Sequence, residues 1–362
     1  MMSMRTSRAF VRQFSDLARR PTGAVTIKYG PGGRSSASGQ TVTVFGCTGF
    51  VGRYLVNRLG QVGTQVVMPW RSYEDSNRHL KLTGDLGKMT SVHFDIYNAK
   101  ELAECVRNSD VVYNLIGRDY ETKNYTFENV HIDAARHIAR IAREEGVASL
   151  VQMSHINANE NSPSGFFKTK AQAEVAAREE FPDVTIVRSA DIYGHEDHTM
   201  LNLIGWLSNF PALPVPNGGK TIRRPVHVSD VATVLAGIAF DSTAAGKTYE
   251  LYGPKAYTID EIVDLWIELT RKPVTKAYPP KFLFETYSKF VDVISPYPKI
   301  HPDLIKRLHI DEEPTLAGAR TLADGGVAKP KILDYAALEV VRRYRKHEDY
   351  HLPGRIPKPD EL

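Results

Sequence analysis

The stretch from Thr41 to Leu59 constrains this chain most. A β-branched run, Thr41–Phe45 (TVTVF), meets Gly46, Gly49 and Gly52, and a helical apolar pattern follows at Phe50, Leu55, Val56 and Leu59. Glycines at that spacing let the chain bend sharply and let its backbone approach an anion with no Cβ in the way. The helix N-terminus then offers unpaired N–H groups and a partial positive charge. Alternation continues beyond it. Gln65–Pro69, Val92–Phe94, Val111–Ile116, Ser149–Met153 and Thr185–Val187 read as strands, and Lys100–Arg107, Phe127–Glu145 and Lys168–Glu180 read as helices. That order implies a doubly wound α/β fold, a parallel sheet with helices on both faces. Past Arg188 the pattern loosens around Pro211, Pro214, Pro216, Gly218 and Gly219. A helix over Ser229–Phe240, a strand at Thr248–Leu251 and a helix over Ile259–Leu269 then read as a smaller C-terminal α/β lobe, whose strands can extend the sheet.

The charge is unevenly placed. The first 40 residues hold seven basic side chains and one acid, while the rest carry 39 basic and 41 acidic residues. The folded part is nearly neutral, which argues against a nucleic-acid-binding stripe. Met4, Arg5, Arg8, Phe10, Val11, Arg12, Phe14 and Leu17 can be drawn as a helix with Arg on one face, the pattern of a mitochondrial presequence over residues 1–20. Residues 21–40, containing GPGGRSSASG, read as an extended arm. The dinucleotide domain is expected over 41–188, the lobe over 189–340 and a Pro-containing tail over 341–362. No apolar run approaches the roughly 18 residues of a membrane span. Cys47 and Cys105 read as buried small hydrophobes in a reducing compartment.

A dinucleotide site that prefers NAD places an acid at the end of the second strand, to accept from the ribose hydroxyl. Here that strand ends Met68-Pro69-Trp70-Arg71. A guanidinium at Arg71, with a second at Arg53, suits a 2′-phosphate, so NADPH is the expected cofactor.

The Gly46-x-x-Gly49-x-x-Gly52 spacing resembles the extended or atypical short-chain dehydrogenase/reductases, a family built on the Rossmann fold. Further matches fall in order over Thr41–Leu269. Asp95-Ile96 resembles the pair that holds the adenine. Asn114-Leu115-Ile116-Gly117 resembles the loop lining the cofactor after the fourth strand. Ser154 falls at the family's active-site serine, Arg188 to Gly194 resembles the loop beside the nicotinamide, and Val226 to Val231 resembles a later signature at a helix start. The resemblance implies cofactor contacts from Gly46, Thr48, Gly49, Phe50, Val51, Gly52, Arg53, Arg71, Asp95, Ile96, Leu115, Ile116, Gly117, Ser154, Lys170, Ser189 and Ile192.

The family's catalytic pair is Tyr-x-x-x-Lys on one helical face. Lys170 matches the lysine, but Phe166 stands where the tyrosine belongs, and phenylalanine has no proton to transfer. Ser154 is then expected to bind cofactor rather than to catalyse. Gly30–Ser36, Phe45–Tyr54, Thr83–Gly87, Asn114–Asn124 and Ser154–Asn159 resemble a narrower family, the dehydrogenase-like accessory subunits of mitochondrial NADH:ubiquinone oxidoreductase (complex I). That resemblance implies a non-catalytic chain that holds NADPH structurally and supports assembly and stability. It also implies a matrix-side position at the inner membrane, beside other complex I subunits near the membrane junction.

Two competing readings are a matrix NADPH-dependent reductase or epimerase with a replaced acid, Tyr193 being one candidate, and an RNA-binding relative. Leu283, Tyr287, Phe290, Val291 and Ile294 form an apolar helical stripe that suits core packing or a partner- or lipid-facing role. His195, Glu196, Asp197 and His198 lack a metal-site spacing and read as a solvated loop.

Overall fold

Alternating apolar side chains build the sheet. In the computed structural model, which describes residues 16–19, 25–30, 32–71, 73–294 and 298–353, seven strands pair in parallel. They are β1 (Thr41–Phe45), β2 (Gln65–Trp70), β3 (Met89–His93), β4 (Val111–Asn114), β5 (Ser149–His155), β6 (Thr185–Ser189) and β7 (Thr248–Leu251). Their spatial order is 3-2-1-4-5-6-7. β1 and β4 pair with Val42 opposite Val111 and Phe45 opposite Asn114.

Successive side chains leave the sheet on opposite faces. Val42, Val44, Val111 and Tyr113 pack on one face with Leu55, Val56 and Leu59 of α1 (Phe50–Gln61) and Val231 and Leu235 of α2 (Val228–Ile238). Phe45 and Val112 pack on the other, with Leu102, Ile138, Ile141 and Ala177 from the helices Ala99–Val106, Ala134–Glu144 and Gly165–Glu180. The Tyr113 hydroxyl donates to the Leu235 carbonyl, tying β4 to α2.

Two further apolar clusters form the C-terminal lobe, one around Trp266, Leu265 and Val340 and one around Val263, Leu304 and Ile305. The boundary expected at 188 does not follow the layers. α2 covers the sheet and β7 pairs with β6 in register, Tyr249 opposite Val187. A chain cut there loses an edge strand and one covering helix, because both lie far along the sequence from the strands they pack on.

The expected presequence lies outside the described residues except at 16–19. There Asp16–Arg19 forms a strand antiparallel to Val25–Lys28, with Leu17 opposite Ile27, so the drawn helix does not reach Leu17. Val25, Thr26 and Ile27 are β-branched and favour pairing. Of the arm, Tyr29 and Ala37 exchange two backbone hydrogen bonds. The end of the tail, beyond residue 353, is likewise outside the described residues.

Candidate functional site

The cleft opens where the strand order reverses, between the carboxyl ends of β1 and β4, which is where open α/β sheets place ligands. Gly46 begins the turn at φ +80, and a Cβ there would meet the Leu115 carbonyl at 2.9 Å. A Cβ on Gly52 would collide with the Gly46 carbonyl oxygen. Gly49 N donates to Gly46 O at 3.0 Å and closes the turn. Gly49 also caps α1 without any side-chain hydrogen bond, and no acid lies in the first helical turn. The N–H groups of Phe50, Val51 and Gly52 are thus offered to an anion by a helix end that carries partial positive charge.

The cavity measures about 260 Å³ and is lined by Gly46, Thr48 and Gly49 at the turn, by Leu115, Ile116 and Gly117 after β4, and by Ile96 and Arg71 on the outer wall. All eight are among the cofactor contacts that the family resemblance implies. Trp70, Phe94, Tyr97, Arg118, Tyr125 and Asn129 also line it and were not foreseen. Trp70 ends β2 and Asn129 lies in the helical turns Glu128–Asp133, while the other four come from loops whose course over the sheet leaves no periodic signal. Phe50, Val51 and Gly52 sit on the first turn of α1 behind the glycines. Asp95 is at the surface beside the cavity, with Oδ1 accepting from Tyr97 N at 3.1 Å. Arg53 lies outside the lining. Its Nε donates to Thr48 O at 3.0 Å, and its charge helps depress the His79 pKa. Arg71 and Arg118 are therefore the two arginines on the cavity wall.

At the Gly117 end the side chains are committed to one another. Lys170 is buried, and burial pushes its pKa down to about 8. A Cβ on Gly117 would stand 3.2 Å from Lys170 Nζ, so the ammonium borders the cavity. Phe166 lies edge-on to His131, with ring centroids 5.2 Å apart. The Arg307 guanidinium sits 4.4 Å from the Phe166 centroid and Lys170 Nζ 5.7 Å from it. Thr169 Oγ1 donates to Gly165 O at 2.8 Å, so it accepts from His131 Nδ1–H, while His131 Nε2 accepts from Arg118 N. The network thereby assigns a neutral imidazole with both nitrogens in use. Burial drives its pKa well below the ordinary value.

Ser154 Oγ donates to Glu174 Oε1, and Glu174 also holds Arg188 through two bonds of 2.9 and 2.8 Å. The Ser154 hydroxyl is directed at that buried pair, and Ser154 is not among the lining residues. Ser189 is buried, and Ile192 packs against the core with Val226 opposite it. Neither touches the cavity. The two belong to the neighbouring crossing from β6, which the cavity does not reach. Tyr193, the candidate replacement acid, is fully buried and its hydroxyl contacts Lys331 O at 3.4 Å. Burial raises its pKa far above the usual phenol value.

Behind this end lies a buried charge cluster. Arg223 Nη1 stands 3.2 Å from both Asp191 Oδ2 and Glu312 Oε1, and His155 Nε2 is 3.6 Å from each carboxylate. Burial beside Asp191 pushes Glu312 up to about 8, while Arg223 holds Asp191 ionised. His155, Asp191 and Glu312 are grouped closely enough to suggest a cation, but the Arg223 charge already occupies the middle of that group. Cys47 and Cys105 are buried free thiols, both pushed up to about 12 by burial.

The glycine turn, the reversed strand order and the cavity between them define a Rossmann protein of the dinucleotide-binding class. The chain belongs to the NmrA-like family, whose model matches residues 38–299, and to the family of one mitochondrial respiratory subunit. It is 41% identical over 352 residues to the mitochondrial NADH-ubiquinone oxidoreductase 40 kDa subunit of Neurospora crassa, covering 96% of this chain and 90% of that one. It is 39% identical over 325 residues to the mitochondrial NADH dehydrogenase [ubiquinone] 1 alpha subcomplex subunit 9 of Mus musculus, covering 89% and 85%. Among solved structures it resembles Citrobacter triphenylmethane reductase complexed with NADP(H). That likeness has a TM-score of 0.66 at 18% identity, over 84% of this chain and 99% of that one, and bears on the fold.

Proposed function

We propose that this protein is an accessory subunit of mitochondrial NADH-ubiquinone oxidoreductase that holds NADPH in the cleft as a structural ligand and performs no chemistry on it. Membership of the complex is supported by identity to named subunits of that complex along almost the whole chain. The cleft fits the cofactor: Gly46 and Gly52 allow a tight turn where a Cβ would collide with backbone, and α1 presents uncapped N–H groups to a pyrophosphate. Arg71 on the wall is the group for a 2′-phosphate, and Lys170 borders the ribose end. Bound NADPH would supply a hydride donor in an enzyme. Here the residues around it bind and orient without moving a proton.

The observation that carries the non-catalytic reading is Phe166. It fills the tyrosine position, four residues before Lys170, and lies under the Arg307 guanidinium. Around it His131 has both nitrogens engaged and Ser154 is bonded to Glu174. Lys170 borders the cavity at that end, and the phenol that would pass a proton to the substrate in the family's pair is replaced by the Phe166 ring. A ligand that binds only the folded chain stabilises it by mass action, about 4 kcal/mol at a thousand times Kd.

The site on the complex is read as peripheral and matrix-facing. Among the described residues no helix is long and apolar enough to cross a membrane. The helix Lys281–Ile294 exposes Phe282, Leu283, Tyr287 and Phe290, a surface suited to neighbouring subunits or lipid.

The test is made on native mitochondrial membranes. After native electrophoresis the chain should migrate with the oxidoreductase, and its band should release about one NADPH per chain. A chain that migrates alone with readily exchanged nucleotide would move the assignment to a matrix reductase.

A further inference from the structure

We propose that Tyr125 determines the preference for a 2′-phosphorylated dinucleotide by holding the Arg71 guanidinium in place, an inference that rests on the NADPH reading above. The Arg71 guanidinium carbon lies 4.9 Å from the centroid of the Tyr125 ring, and both residues line the same cavity. Arg71 is exposed, and among the described residues no carboxylate pairs with it. A long side chain in that situation loses rotamer freedom whenever it fixes a ligand. Stacking removes part of that cost in advance. A guanidinium packs its flat face on an aromatic ring while its N–H edge stays free to fork onto a phosphate.

Tyr125 is itself anchored. Thr122 N donates to Tyr125 O at 2.9 Å and Tyr125 N to Thr122 O at 3.2 Å, and Glu121 Oε1 accepts from Phe127 N at 2.8 Å. The loop after β4, its backbone held by these bonds, thus brings the Tyr125 ring across the cleft to Arg71 at the end of β2. The acids near this corner, Asp95 and Asp133, act on Tyr97 and are not paired with Arg71. A cation with no carboxylate partner among the described residues, set over an aromatic ring in a dinucleotide cleft, suits a dianionic phosphate monoester, the group that distinguishes NADPH from NADH.

Equilibrium binding of NADPH and of NADH to the full-length chain, followed by nicotinamide fluorescence, tests this. The wild type should prefer NADPH. Tyr125→Leu should weaken NADPH roughly three- to tenfold and leave NADH unchanged, while Tyr125→Phe, which keeps the ring, should match the wild type. Arg71→Gln should abolish the preference, and adding Tyr125→Leu to it should change nothing further. Equal weakening of both nucleotides by Tyr125→Leu, an unchanged NADPH affinity, or full additivity with Arg71→Gln would each overturn the proposal. Those results, in a wild type that prefers NADPH, leave the structural-cofactor reading standing. A wild type that binds neither nucleotide, or binds both equally, overturns this inference and the NADPH assignment together.

Discussion

On the reading proposed above, Phe166 retires a reaction while a binding site is kept. Lys170 stands beside Gly117, and the His131 and Ser154 side chains serve the interior. Restoring the missing hydroxyl alone should therefore fail. Phe166→Tyr is expected to leave carbonyl-dependent oxidation of NADPH at background, measured by absorbance with a panel of aldehydes and ketones. Turnover in that single variant would mean that the surrounding groups are still poised for chemistry. The i, i+4 spacing of Phe166 and Lys170, which both stand on the helix Gly165–Glu180, was legible from the sequence. Arg307 above the ring and Glu174 beneath Ser154 were not. A buried charge looks like any surface charge in a sequence until its distant partner is known.

At the scale of elements, periodicity located the helix Lys281–Ile294 and left open which side is hidden. The stripe of Leu283, Tyr287 and Phe290 faces outward, with Phe290 65% exposed, whereas Phe284 is 6% exposed and packs into the lobe. Both faces are apolar, so the sequence pattern alone does not choose between them. An unpaired aromatic face of this kind marks an interaction surface. Replacing Phe282 and Phe290 by Ser should reduce recovery of the chain in the assembled complex on native gels. It should leave NADPH affinity within twofold of wild type. Lost nucleotide binding in that variant would instead assign the face to the fold's own stability. The glycine turn was the opposite case. Gly46, Gly49 and Gly52 are local, their spacing follows from backbone sterics, and the cavity formed where they implied. The loop after β4 was only half legible, because Gly117 carries a steric signal and Tyr125 does not.

The whole molecule holds enough buried titratable groups to give its stability a definite pH profile. Burial lowers the pKa of His131, His155, His227 and His301, the last two to about 4. The unfolded chain takes up those protons from about pH 6.5 downward, so stability is lost as pH falls toward 4. Glu312 works in the other sense. With its folded pKa raised to about 8 from 4.5, the native state binds the extra proton and stability declines as pH rises toward 8. Asp197, raised to about 6, opposes the histidines over part of the acid range, but four imidazoles outweigh it there. Thermal melts of the purified chain should show a maximum near about pH 6.5–7, and Glu312→Gln should flatten the alkaline limb. A limb unchanged by that substitution would mean that Glu312 is ionised in the native state. The placement of α2 and β7 has a different consequence. Leu55, Val56 and Leu59 of α1 are covered by Val231, Val234 and Leu235, which come from near residue 230, and the sheet gains its last strand only at Thr248–Leu251. A chain emerging N-terminus first, from a ribosome or through a translocation channel, must carry that naked face until more than half its length is out. During that interval an oily surface is open to every neighbour, so safe delivery depends on a chaperone that binds extended apolar segments and releases them late.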